Sequence, residues 1–246
     1  MIKGKQFVTI WRKESRMEQE KILQLQQGLT TAFMNQAISS NLAYRPQFIS
    51  NNYREGRKVF SSIENELLSC EEFSISVAFI TMGGITPLLQ TLRELECRGI
   101  PGRILTTDYL MFSDPKALRI LANFKNIELK MFVTENAKEG FHTKGYIFKK
   151  KEIYRMIVGS SNMTLSALTK NREWNTKIVS TDQGEYAQNL VSEFEQLWNA
   201  EESLSFEQFI ESYTKLYTKN KLIKKQRETA SSPTYGNAPY ASLSFH

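Results

Sequence analysis

The sequence predicts an α/β fold, a mainly parallel mixed sheet flanked by helices on both faces. Three observations predict it. Short apolar runs such as FSISVAFI (residues 73–80) read as strands covered on both faces. Amphipathic helical stretches alternate with such runs from residue 56 onward. The junctions carry helix punctuation, with Asp114-Pro115 opening one helix and Gly99 closing another.

Taken in order, residues 1–40 are polar for most of their length but rich in helix formers, and Leu29, Phe33 and Ala37 recur every four positions. They read as an N-terminal helical arm that Gly28 divides in two. Residues 41–52, with Pro46 and several asparagines, read as an irregular entry segment. A helix over 56–68 carries Val59, Ile63 and Leu67 on one side. After the 73–80 strand, Gly83-Gly84 breaks the run, and a helix over 86–95 takes Pro87 in its first turn. Strands follow at 103–107 and 127–133, the first ending on Asp108, with a helix from Pro115 to Phe124 between them. Residues 142–148 and 154–158 read as two further strands. Another helix begins at Leu165, and a strand covers 174–180. Helices over 185–198 and 206–217 space their aromatics at the helical period, which assigns those rings to the core. The organisation expected is an arm (1–40), a central α/β domain (41–200), a basic C-terminal helix (201–227) and a flexible tail (228–246).

A hydrophobic fraction of 41% with 24% charged residues is that of a water-soluble globular chain, and no run approaches the ~20 apolar residues that span a bilayer. Residues 1–20 contain no apolar core of a secretory signal. Cys70 and Cys97 match no metal-ligand spacing and read as free thiols of a cytoplasmic protein. The net charge of +6 favours an anionic partner; Lys215, Lys219, Lys221, Lys224, Lys225 and Arg227 concentrate it near the C-terminus.

Chemistry gathers between residues 141 and 175. His142 and Lys144 stand two apart, so on a strand they share a face with Tyr146 and Phe148, roughly 6.6 Å from one Cα to the next at ~3.3 Å per residue. An imidazole and an ammonium so placed reach one small anion. The next strand runs into Gly159-Ser160-Ser161-Asn162, small residues whose backbone can approach that anion, and Glu173 follows. The only other histidine is the last residue, His246. A free imidazole is substantially neutral near pH 7 and can attack phosphorus, forming a phosphohistidine that splits one hard hydrolysis into two steps. Lys144, Ser160 and Asn162 supply donors for the charge that grows on the nonbridging oxygens.

This pattern resembles the phospholipase D superfamily signature, His-x-Lys-x4-Asp-x6-Gly-Ser-x-x-Asn. His142, Lys144, Gly159, Ser160 and an Asn at 162 match it, Glu173 sits where many members carry a further acid, and the motif aspartate is replaced by Lys149. Over Asn41 to Trp198 the chain is similar to the phospholipase-D-like domain at the front of certain bacterial DEAD/DEAH-box helicase-like proteins; no Walker-type motif is present in this sequence. The resemblance implies a phospholipase-D-like fold and a metal-independent phosphodiesterase or endonuclease acting on nucleic acid, DNA favoured over RNA. It implies Glu173 as the group that orients His142. It also implies a homodimer, because the superfamily pairs two such histidines and this chain offers one with no internal repeat. His142, Lys144, Ser160, Asn162 and Glu173 are the catalytic candidates. Gly159, Ser161, Lys149 and Asp108 are the substrate-binding candidates. No cofactor, metal or membrane is called for, and a helicase-type ATPase is a candidate partner or fused domain. The competing reading is a weak or inactive nucleic-acid-binding module, with Lys149 marking the loss of activity.

Overall fold

The computed structural model describes residues 19–230 apart from 53 and 136; the start of the expected arm and the tail beyond 230 lie outside that range. Residues 19–33 form one helix, α1, which continues through Gly28 instead of breaking there. The glycine serves a close approach, since a Cβ at residue 28 would sit 2.4 Å from the carbonyl oxygen of Tyr44. The elements that follow are β1 (Gln47–Ile49), α2 (Val59–Ser69), β2 (Glu72–Val77), α3 (Met82–Ile85) and α4 (Leu89–Cys97). Next come β3 (Gly102–Thr107), α5 (Pro115–Ala122), β4 (Ile127–Phe132), β5 (Lys144–Lys150) and β6 (Ile153–Gly159). The last are α6 (Leu165–Thr169), β7 (Asn175–Thr181), α7 (Glu185–Asn199), β8 (Ser203–Ser205) and α8 (Phe206–Ala230).

The strands form one mixed sheet in the order β1-β7-β6-β5-β2-β3-β4-β8. The sheet is mixed, as expected, but not mainly parallel: parallel pairing is confined to β2–β3 and β3–β4, and the remaining neighbours run antiparallel. The division follows the connections. Helices α3–α4 and α5 provide the long crossovers that parallel neighbours require, whereas β5 and β6 are joined by a tight turn at Lys151-Glu152. Glu152 in that turn is bonded to Lys21 of α1.

Side-chain alternation divides the core into two layers. On one face Phe73, Ile75 and Val77 of β2, Ile104 of β3, Leu129 and Met131 of β4, and Tyr146 and Phe148 of β5 pack with α2, α4, α5 and α8. On the other, Leu105, Phe132, Ile147 and Met156 meet Ala187, Phe194 and Trp198 of α7. Helices therefore cover both faces, as the apolar strands require. Of the helix aromatics, Phe194, Trp198, Phe209 and Tyr213 are buried, in keeping with their helical spacing, whereas Tyr186, in the first turn of α7, is exposed.

Gly83-Gly84 lie inside α3, not in a break, and the expected 86–95 helix is divided into a 3-10 turn at Thr86–Leu88 followed by α4. The reason is contact. A Cβ at Gly84 would stand 2.0 Å from the carbonyl oxygen of Met163, which also accepts the N–H of Thr81. This seats α3 directly on the segment that follows the Gly159-Asn162 turn. Gly84→Ala is expected to destabilise the fold by about 1–3 kcal/mol, as overpacking against backbone does. Chemical denaturation that leaves the midpoint unmoved would contradict this packing.

Candidate active site

β5, β6 and β7 bring the motif residues to one end of the sheet. In register, Gly145 faces Val158 and Gly159 faces Asn175, so the residues just before β5, just after β6 and just before β7 emerge together. His142 lies two residues ahead of β5 instead of within it, and is exposed. Gly159 makes the crossing possible: a Cβ there would lie 2.2 Å from the carbonyl oxygen of Trp174. Ser160 continues the ladder, its N–H donating to that carbonyl at 3.0 Å.

Lys144 Nζ lies 3.0 Å from Nδ1 of His142 and donates to the His142 carbonyl at 2.9 Å. An ammonium has no acceptor capacity, so with Lys144 charged this contact fits a neutral ring in which Nδ1 accepts and Nε2 carries the proton. That tautomer suits the imidazole that hands a proton to a leaving oxygen. An attacking imidazole needs the opposite one, with Nε2 unprotonated. Partial burial pushes the Lys144 ammonium below the ordinary lysine range, and the Glu173 carboxylate opposes the shift by favouring the charged form.

Glu173 accepts a hydrogen bond from Ser160 Oγ, which in turn accepts the N–H of Trp174 at 3.0 Å. The expectation that Glu173 orients His142 differs from this arrangement: among the described residues its hydrogen-bond partner is Ser160. The serine has one proton, and here it points at the carboxylate, leaving Lys144 and Asn162 as the donors free to face an anion. Asn162 Oδ1 accepts the N–H of Phe79 at 3.1 Å, which fixes the amide so that Nδ2 points away from that contact. Asn162 and Glu173 both line a cleft of about 460 Å³ together with Phe79, Thr81, Phe112 and Lys170.

The other candidates fall elsewhere. Ser161 is fully buried; its N–H donates to Asn175 Oδ1, and its hydroxyl accepts from Asn175 Nδ2 at 2.9 Å, so it braces the turn. Its carbonyl takes the hydroxyl of Tyr146 at 3.0 Å. Burial pushes that phenol's proton affinity well up, and Glu173 adds to the effect. Lys149 sits near the far end of β5 from His142, opposite Glu72, with its Nζ 3.6 Å from that carboxylate and above the Tyr154 ring. Asp108 is buried at the end of β3, where Oδ1 accepts both the N–H and the hydroxyl of Thr134 at 2.9 Å. Among the described residues no group of three or more histidine, cysteine, aspartate or glutamate side chains is arranged to hold a metal.

Sequence reasoning overlooked the rings around His142. Phe79 and Tyr109 each meet the imidazole edge-on with centroids 6.2 Å away, and Phe112 packs on Phe79 at 4.9 Å. The apolar run places Phe79 in a doubly covered strand, but β2 stops at Val77. The only hint was that Tyr109 directly follows a strand-ending aspartate.

With this geometry in view, comparison with known proteins is informative. The family model described as cardiolipin synthase, PLD-like domain, matches residues 64–198, more than half of the chain. Among solved structures, NucT from Helicobacter pylori superposes with a TM-score of 0.51 at 19% identity, over 66% of this chain and 99% of that one. Nuc from Salmonella typhimurium, a phospholipase D family member, gives 0.51 at 18% identity over the same shares. Phosphatidylserine synthase from Haemophilus influenzae gives 0.50 at 14%, over 75% of this chain and 46% of that one. At these identities the likeness is one of fold. No curated protein matches at the level of sequence.

Glu173→Gln removes the one carboxylate that favours the charged form of Lys144, so the lysine pKa is expected to fall further below its ordinary value. A side-chain NMR titration reads it directly, and a rise on substitution would reverse the assigned electrostatics.

Proposed function

The chain belongs to the phospholipase-D-like family; from that premise we propose that it is a phosphodiester hydrolase, a metal-independent endonuclease with His142 as nucleophile at a site shared by two copies. The observation that carries this reading is the convergence of His142, Lys144, Asn162 and the Ser160–Glu173 pair at one end of the sheet. The imidazole that attacks carries its ring proton on Nδ1 and so gives up the hydrogen bond from Lys144; its unprotonated Nε2 attacks phosphorus, the P–O bond to the leaving oxygen breaks, and a phosphohistidine forms. The second imidazole gives its proton to the leaving oxygen. It then takes a proton from the water that attacks the P–N linkage, which frees the first histidine. Lys144 and the amide of Asn162 counter the charge on the nonbridging oxygens throughout.

The paired mechanism uses two imidazoles, and His142 is the one histidine among the described residues, which favours a second supplied by a partner chain in a homodimer. The excess of 32 Lys and Arg over 26 Asp and Glu supports a polyanionic substrate. Among the described residues no helix is long and apolar enough to cross a membrane. DNA is the favoured substrate, and a helicase-type motor, fused or separate, is the favoured source of the strand. The replacement of the motif acid by Lys149, which pairs with Glu72, favours one alternative, a binding module that grips a phosphate backbone without cutting it.

Incubation with single- and double-stranded DNA and RNA in EDTA tests the choice. Cleavage is expected to persist in chelator, to fall by about 10³-fold or more in His142→Ala, and by about 10²–10³-fold in Lys144→Ala. Binding without cleavage by the parent chain would leave the module. Sedimentation of the active protein is expected to give a dimer, and activity from a monomer at working concentration would end the paired-imidazole mechanism.

A further inference from the structure

The candidate site does not end at its polar residues. Tyr109 is 43% and Phe112 50% exposed, large fractions for aromatic side chains, and together with Phe79 they form a shelf beside His142. The Phe79 and Tyr109 rings are parallel to within 10° with centroids 6.4 Å apart. The turn that presents the shelf holds Leu110 at φ 56° and Met111 at φ 49°, left-handed values that cost a non-glycine residue about 1 kcal/mol or more each. Leu110 is itself 61% exposed, so burial of its side chain does not account for the strained backbone.

The shelf also joins two clefts. Phe79, Thr81 and Phe112 line the cleft that contains Asn162 and Glu173. Thr81 and Phe112 recur in a second cleft of about 260 Å³, lined on its far side by Lys221 and Lys224 of α8. Asp114 also borders that cleft, but its Oδ1 caps α5 by accepting the N–H of Lys116. The family match ends at residue 198, so α8 lies outside the matched residues. Phe209 and Tyr213 anchor α8 in the main core, and the Tyr213 hydroxyl donates to the Ser113 carbonyl at 2.7 Å, which ties the helix to the segment carrying Phe112. Both lysines are exposed, and Lys221 lies over the Tyr217 ring.

We propose that Tyr109 and Phe112, with Lys221 and Lys224 beyond them, form a track for single-stranded nucleic acid leading away from His142. A base next to the scissile phosphate stacks on the shelf, and α8 counters the phosphates that follow. A paired base cannot offer its face in this way, whereas an unpaired base of any identity can, so the track selects strandedness and not sequence. The proposal rests on the reading of His142 and Lys144 as a phosphodiester site and adds what that site accepts.

The test uses the full chain carrying His142→Ala, so that the probe is not consumed, and follows anisotropy of labelled oligo-dT, the same oligomer made abasic, and a duplex. Tyr109→Ala with Phe112→Ala is expected to weaken oligo-dT binding by about 10–100-fold, the usual range for loss of stacking on a base. The same pair of changes is expected to leave abasic and duplex binding within twofold, and Tyr109→Trp, which keeps an aromatic face, to bind like the parent. Lys221→Ala with Lys224→Ala is expected to lower the salt slope by about 0.7 per lost phosphate contact. Unchanged oligo-dT binding in the aromatic double variant would overturn the track. So would an equal loss on duplex, or conversion of a dimer to monomer in sedimentation, which would make the shelf a subunit contact. If the parent chain fails to cut, the nuclease reading falls while these binding differences stand; if it cuts oligo-dT with KM unmoved by Tyr109→Ala, the track falls alone.

Discussion

The backbone register of β5, β6 and β7 is the constraint on which the site depends. Side chains alternate along a strand, so a slip of one residue would turn Tyr146 and Phe148 out of the core and separate Lys144 from Ser160. Three features hold the register. Gly159 leaves no space for a side chain against the Trp174 carbonyl, Asn175 grips Ser161 through both its amide atoms, and the Tyr146 hydroxyl is anchored on the Ser161 carbonyl. Exposed chemistry at the sheet's end is thus set by buried hydrogen bonds a few ångströms beneath it.

Much of this was legible in the sequence because local signals and the global fold agree. The apolar runs at 73–80, 103–107 and 127–133 became β2, β3 and β4, and Asp114-Pro115 opened α5 with Asp114 as its side-chain cap. The clustering of His142, Lys144, Ser160, Asn162 and Glu173 followed from two strands and a turn. What sequence could not supply was set by tertiary contact. Gly83-Gly84 looks like a break, yet contact with Met163 makes it part of a helix. Lys149 falls at a motif position by counting, but a strand of seven residues carries it away from His142. The orientation of Glu173 toward Ser160 is a choice between neighbours that no spacing encodes.

Charge at the sheet separates into two kinds of arrangement. Glu66 is 8% exposed on α2, where it receives Lys177 at 3.2 Å and Arg155 at 3.7 Å. Such a carboxylate is held by two cations, and removing the carboxylate would leave both of them uncompensated in a partly desolvated setting. The Lys144 region is the opposite case. Its ammonium is partly desolvated, shares its hydrogen bonds with a neighbouring imidazole and backbone, and feels Glu173 only through space. The first arrangement is closed and structural, whereas the second leaves positive charge to be answered by an incoming anion.

The two outermost strands bear on how copies of the chain can meet. β1 and β8 are each three residues long, and each is already paired on its inner side. So short a border offers too few unsatisfied peptide groups to zip a neighbouring molecule onto the sheet. A continuous sheet running from one copy of the chain into another is thereby disfavoured.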